Sequence, residues 1–154
     1  MIFYKNFTNL TKEEKKEIFY IRNSPNISKF MKTKNINYKN HLIFLKELNK
    51  NKNKKYFLLI KNNEKLGVIY FNNIIKLSCE FGLYGIKKGV GELLMQEVKN
   101  YAFNVLKVQT LNACVFKENT KALNLYLKHG FEVIKEDNNF YFVNLNNPHR
   151  DIIF

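Results

Sequence analysis

Arginine, cysteine, proline and glycine are all scarce here: 154 residues hold two cysteines, two prolines and six glycines, and arginine stands only at Arg22 and Arg150. No flexible interdomain linker and no internal repeat is visible, so the expectation is one domain over residues 1–154. Cys79 and Cys114 each fall inside an apparent strand, with neither metal-ligand spacing nor a secretory context, and read as reduced core thiols. The histidines lie far apart at His41, His129 and His149 and offer no ligand pair, so no metal is expected. No apolar run reaches the roughly 18 residues of a membrane span, so no membrane partner is expected. Met1 to Phe7 lacks the apolar core and small-residue cleavage site of a secretory signal, and a cytoplasmic location is the expectation. The Lys/Arg-Gly-Phe/Tyr-Gly/Ala-Phe pattern of RNA-binding sheets is missing too.

What is present is a globule's composition, 45% hydrophobic and 15% aromatic. The net charge is +13. A basic nucleic-acid-binding module is the alternative of another class, but the lysines are scattered rather than grouped, and no nucleic-acid partner is expected. Such a charge also draws in small polyanions.

In chain order, Met1 to Phe7 reads as a strand, and Thr11-Lys-Glu-Glu14 as a capping box opening a helix through about Ile21. Ser24-Pro25 interrupts it. Asn37 precedes a helix with a stripe of Leu42, Leu45 and Leu48, flanked by His41 and Phe44. Tyr56 to Ile60 and Leu66 to Phe71 read as a hairpin across Asn62-Asn63-Glu64-Lys65. Leu77 to Tyr84 is a further strand, followed by a glycine-containing loop from Gly85 to Gly91. Leu94, Met95, Val98, Ala102 and Val105 then recur at helical spacing. A strand from Val108 to Val115, a helix, and strands near Phe131 to Lys135 and Phe140 to Leu145 complete a mixed α/β order, with Asn146 to Phe154 as a tail of undecided order.

Two stretches carry chemistry. Asn119-Thr-Lys-Ala-Leu-Asn-Leu-Tyr-Leu-Lys-His-Gly-Phe131 is a capped helix with Ala122, Leu125, Tyr126 and His129 on one face and Gly130 as its left-handed stop. On its own it reads as an ordinary core helix that carries a tyrosine. Gly85-Ile-Lys-Lys-Gly-Val-Gly91 could turn backbone N–H groups toward an anion at a helix start, or be a plain strand-to-helix turn. Together, in this order, they resemble the two signatures of the GCN5-related N-acetyltransferase (GNAT) superfamily. Ile86 stands where that family usually has Gln or Arg.

The resemblance implies a single GNAT domain: a central, mostly antiparallel, splayed sheet flanked by helices, with the strand before the glycine loop bulged. It implies acetyl-CoA as cosubstrate, held by Leu83, Tyr84, Lys87, Lys88, Gly89, Val90, Gly91, Asn119, Ala122 and Tyr126. With segments from Phe19-Tyr-Ile-Arg-Asn-Ser-Pro-Asn-Ile27 through Ser78-Cys-Glu-Phe-Gly-Leu-Tyr84, nearly the whole chain resembles the amino-sugar N-acetyltransferases of pseudaminic acid biosynthesis, which serves flagellin glycosylation. A UDP-linked 4-amino-4,6-dideoxy sugar is then the implied acceptor. Arg22 and His41 would meet its phosphates, Met31 and Phe44 its nucleotide end, and Asn72 and Tyr84 its sugar. Read from residues alone, Arg22 serves equally as partner of an acidic side chain, whereas a partly buried helix histidine is the favoured reading of His41, and core packing that of Met31 and Phe44. Tyr126 would protonate the leaving thiolate, a phenol near pKa ~10 facing a thiol near ~8.5. Glu80 is the candidate base, through water, and equally a solvated or ion-paired strand carboxylate. The nearest rival is a GNAT enzyme acting on a protein N-terminus or another amine; a catalytically idle acetyl-CoA sensor is a third. Oligomeric state is left open.

Overall fold

The computed structural model describes residues 1–148. Seven strands form one sheet in the order β1-β2-β3-β4-β5-β7-β6. They are β1 (Phe3–Asn6), β2 (Lys55–Lys61), β3 (Glu64–Asn72), β4 (Ser78–Gly85), β5 (Thr110–Phe116), β6 (Glu132–Glu136) and β7 (Phe140–Asn146). Every neighbouring pair is antiparallel except β4 with β5, which run parallel. That parallel pairing stops at Glu80↔Asn112, although β4 runs on to Gly85 and β5 to Phe116. The mostly antiparallel, splayed sheet is therefore present. The expected bulge in β4 is not, because its pairing with β3 runs in regular register from Asn72↔Glu80 to Gly67↔Gly85. β3 keeps β4 straight while β7 holds β5 along its whole length, and the gap between them opens by divergence.

The helices form where local signals place them. α1 (Lys12–Asn23) starts on a complete Thr11–Glu14 capping box, and α2 (Pro25–Ser28) has proline at its first position. α3 (Tyr38–Leu48) is capped by Asn37, whose Oδ1 accepts from Asn40 N–H at 2.8 Å. Asn62 and Asn63 both take positive φ, 52° and 63°, as a tight two-residue hairpin requires. α4 (Gly91–Asn100) and α5 (Thr120–Lys128) lie on one face of the sheet, burying Leu94, Met95, Val98 and Tyr126 with Ile69, Phe71 and Phe81. On the other face α1 and α3 bury Ile18 and Leu45 with Leu58, Val68 and Tyr84. Strand alternation thus splits Val68 from Ile69 and Tyr84 from Leu83. Among the described residues no helix is long and apolar enough to cross a membrane.

Two helical stripes differ from expectation. Val105 is 57% exposed, because residues 101–105 form a π turn, closed by Leu106 N–H to Tyr101 O, whose extra residue advances the phase and buries Phe103 instead. In α3 the buried stripe is His41, Leu45 and Leu48, with Leu42 turned outward. Asn146 closes β7 and Asn147 is buried, its Nδ2 donating to Val108 O at 3.0 Å, so no tail begins there; residues 149–154 lie outside the described residues.

Candidate active site

On the α4/α5 face, β4 leads through residues 86–90 into α4, whose cap residue Val90 supplies no side-chain bond. The N–H groups of the first turn therefore point outward at the positive end of a helix dipole, a place suited to a phosphate. Gly89 takes φ +80° with nothing near a notional Cβ, so glycine serves the backbone turn there rather than close packing. Lys87 departs from the expected set: its N–H and that of Ile86 donate to Leu66 O at 3.0 and 2.9 Å, and its ammonium pairs with Glu64 at 2.7 Å. Lys88, Gly89, Val90 and Gly91 keep their places at the α4 start. Ile86 packs against the α1/α3 core, so where the family usually carries Gln or Arg this chain has a packing contact. Glu92 in the first turn pairs with Lys128 at the end of α5 at 2.6 Å, and its other oxygen meets His129 Nε2 at 2.6 Å.

Tyr126 lies where β4 and β5 part. Its ring meets Phe81, the first β4 residue beyond the last shared rung, edge-on at 5.2 Å, and Phe131 at 5.8 Å. It is 7% exposed, and its hydroxyl has no hydrogen-bond partner among the described residues. Burial first, and the Cys114 sulfur second, push its pKa up to about 12. The close match expected with a thiol is thus not built in. The same burial, however, would disfavour a thiolate beside it, so the phenol is held neutral where a charged sulfur is least stable. Asn119 caps α5, Oδ1 accepting from Ala122 N–H at 3.2 Å. Leu83 faces this side with Phe81.

The opposite face of β4 floors a cavity of about 240 Å³ between α1, α3 and β2–β4. Arg22, Met31, His41, Phe44 and Tyr84 all line it, brought together from widely separated segments. Tyr56 and Tyr70, which no sequence motif marks, line the same wall as a parallel stack with centroids 4.7 Å apart. Their signal was strand alternation, since cross-strand partners share a face. Gly82 makes room for this stack: a Cβ there would come within 2.1 Å of the Tyr70 ring. Asn72 sits outside the lining, and its Oδ1 is buried with no partner among the described residues. A buried acceptor left open in this way is costly unless a ligand or water donates to it.

Among the described residues Arg22 pairs with no acidic side chain: Nη1 donates to Lys34 O at 2.7 Å and Nη2 to Thr33 O at 2.5 Å. His41 is 3% exposed and its Nε2 donates to Lys15 O at 3.0 Å. Burial, aided by the Arg22 and Lys15 charges, holds its pKa below the usual histidine value. A neutral imidazole brings no charge of its own to a phosphate, and with Nε2 taken by Lys15 O its Nδ1 is left as an acceptor. The folded state therefore refuses a proton that unfolded His41 accepts below about pH 6.5, so this group's contribution is complete above that pH and is lost as pH falls toward the lower folded value. Melting temperature is expected to fall more steeply between pH 7 and 5 in the wild type than in His41→Gln. Parallel curves would contradict this.

Glu80 stands on the cavity face at the last rung before the strands part, with Asn72 beside it on β3 and Asn112 on β5. Asn73 Nδ2 donates to its Oε2. It lines a second cavity of about 370 Å³ with Asn112, Cys114 and Lys135. Cys79 is buried as expected, its thiol pushed up to about 12 by burial, whereas Cys114 is only half-buried and faces this cavity rather than the core. Among the described residues no three His, Cys, Asp or Glu side chains are grouped as a metal would need.

Comparison with known proteins gives a consistent picture. The family profile of the acetyltransferase (GNAT) domain matches residues 6–132. Acetyltransferase PseH of Campylobacter jejuni is 52% identical over 151 residues, which cover 97% of this chain and 96% of that protein. The crystal structure of Campylobacter jejuni N-acetyltransferase PseH in complex with acetyl coenzyme A superposes with a TM-score of 0.83 at 45% identity, covering 95% of this chain and 99% of that one. Spermidine N-acetyltransferase from Vibrio cholerae, in complex with CoA and spermine, shares the fold with a TM-score of 0.79 at 18% identity, over 95% of both chains.

Proposed function

This chain belongs to the acetyltransferase (GNAT) family, and we propose that it transfers the acetyl group of acetyl-CoA to the 4-amino group of a UDP-linked 4-amino-4,6-dideoxy-N-acetyl sugar. The acceptor implied by the nucleotide-sugar resemblance is UDP-4-amino-4,6-dideoxy-β-L-AltNAc, on the route to pseudaminic acid for flagellin glycosylation. One observation carries the reading. Arg22, Met31, His41, Phe44 and Tyr84 converge on a cavity floored by β4, the strand that Tyr126 meets from the other face.

The chain's own groups fit an acyl-CoA donor. The uncapped start of α4 offers the N–H groups of Lys88 to Gly91 and the first turn to a pyrophosphate. Beyond Glu80 the backbone groups of β4 that face β5 have no strand to bond, and an extended amide-bearing arm can take them. On this reading Asn119 and Ala122 border the arm from the α5 cap. Glu80, acting through water, takes a proton from the sugar's 4-ammonium; backbone N–H groups near Leu83 and Tyr84 polarise the thioester carbonyl; Tyr126 gives its proton to the departing sulfur. Asn72 Oδ1 accepts from the sugar, and Tyr56 and Tyr70 pack along the nucleotide side.

A thiol-release assay with acetyl-CoA tests the substrate. The expected result is a kcat/KM for a UDP-4-amino-4,6-dideoxy sugar at least about a hundredfold above spermidine or an N-terminal peptide, with a clear preference among sugars differing at one carbon. Faster turnover of spermidine or the peptide would overturn the assignment.

A further inference from the structure

Between α2 and α3 the chain crosses the cavity face without regular structure, and residues 32–36 make no backbone-to-backbone hydrogen bond among the described residues. Met31, immediately before this strap, and Thr33 and Ile36 within it line the cavity. Its backbone is held instead by side chains of consecutive residues at the end of α1. Arg22 takes the Thr33 and Lys34 carbonyls. Asn23 makes a reciprocal pair with Ile36: Nδ2 donates to Ile36 O at 2.7 Å, and Ile36 N–H donates to Asn23 Oδ1 at 3.1 Å. One amide side chain thus imitates a strand partner for the strap. Ser24 fixes where Asn23 points, because its N–H and hydroxyl both return to Ile21 O at 3.1 and 2.6 Å, ending α1 there. At its far side the strap lies on the other half of the sheet, with the Lys34 ammonium 4.4 Å from the Phe116 ring and Lys32 5.5 Å from Phe140. Exposed contacts of that kind hold only weakly.

We infer that Asn23 is a positioning residue for the acceptor: it latches the 32–36 strap, and through it sets the wall of the cavity in which the nucleotide part of the substrate binds. Asn23 itself does not line the cavity. The inference rests on the nucleotide-sugar reading above and adds to it the device that shapes the site. Removing the amide leaves this five-residue span held by Arg22 and by the exposed lysine contacts, Lys34 Nζ to Lys29 O among them, while the α4 start and Tyr126 on the other face are untouched.

Trypsin can read the strap directly, since Lys32 and Lys34 are exposed within it. The native protein and Asn23→Ala are digested under identical conditions, and Kd values for UDP and acetyl-CoA are measured by calorimetry. The loss of two bonds is expected to raise strap cleavage and to weaken UDP binding about tenfold each, with acetyl-CoA affinity unchanged. Saturating UDP should slow strap cleavage in the wild type. Asn23→Asp, which keeps the acceptor for Ile36 N–H but loses the donor, should fall between the two. Cleavage of Asn23→Ala and Asn23→Asp at the wild-type rate would overturn the latch. So would a weakening of acetyl-CoA equal to that of UDP, which would mark a global effect. Faster strap cleavage in a protein whose wild type binds no UDP would uphold the latch and overturn the nucleotide-sugar reading beneath it.

Discussion

Replacing Tyr126 with phenylalanine is expected to lower kcat by about a hundredfold or more while acetyl-CoA affinity stays within about twofold. The ring carries the packing, edge-on to Phe81 and beside Phe131, and phenylalanine keeps that ring. Only the hydroxyl is lost, and no hydrogen bond among the described residues goes with it. Stability should therefore hold, and the effect should fall on the chemical step. The phenol's pKa of about 12 sharpens the point: at neutral pH the group is a proton donor and never a phenolate. Thiol release measured beside calorimetric binding of acetyl-CoA separates the two. A kcat near wild type in Tyr126→Phe would remove this hydroxyl from the mechanism.

Gly82→Ala is expected to weaken the enzyme too, on the acceptor side and by a steric route. The notional Cβ falls 2.1–2.5 Å from two ring carbons and the hydroxyl oxygen of Tyr70, closer than any real contact. Tyr70 cannot retreat without breaking its stack on Tyr56, so it must swing into the cavity that both rings line. Overpacking of this kind costs about 1–3 kcal/mol of stability. The KM for the acceptor should rise at least about tenfold, and that for acetyl-CoA far less. A compensating change tests the cause: in Gly82→Ala with Tyr70→Leu the smaller side chain removes the clash, so the losses should be less than additive. Strictly additive losses would show that Gly82 acts through something other than Tyr70.

Both predictions depend on how two faces of one strand meet, and that is where sequence reading ran short. Local devices were legible because their partners lie within a few residues. The Thr11–Glu14 box, the Asn37 and Asn119 caps, the Asn62–Asn63 turn and the left-handed Gly130 at φ +94° all form as read. The helix after the glycine loop was read through to Val105 on one period, and a π turn broke that period. Tyr56, Tyr70 and Asn112 went unassigned because their shared faces depend on strand register, which only the folded sheet displays. Arg22 and His41 line one cavity, but their partners are the carbonyls of Thr33, Lys34 and Lys15, backbone groups that no residue pattern marks. The family signatures pointed to the donor side through residues 85–131, while the strap that walls the acceptor side has no signature at all.

A crystal structure of the protein with CoA and UDP bound together is the most direct test of the account. It predicts the CoA sulfur between β4 and β5, within about 4 Å of the Tyr126 hydroxyl, and uridine against Tyr56 and Tyr70 in the cavity beneath the strap. CoA bound away from that gap, or UDP on another surface, would contradict it.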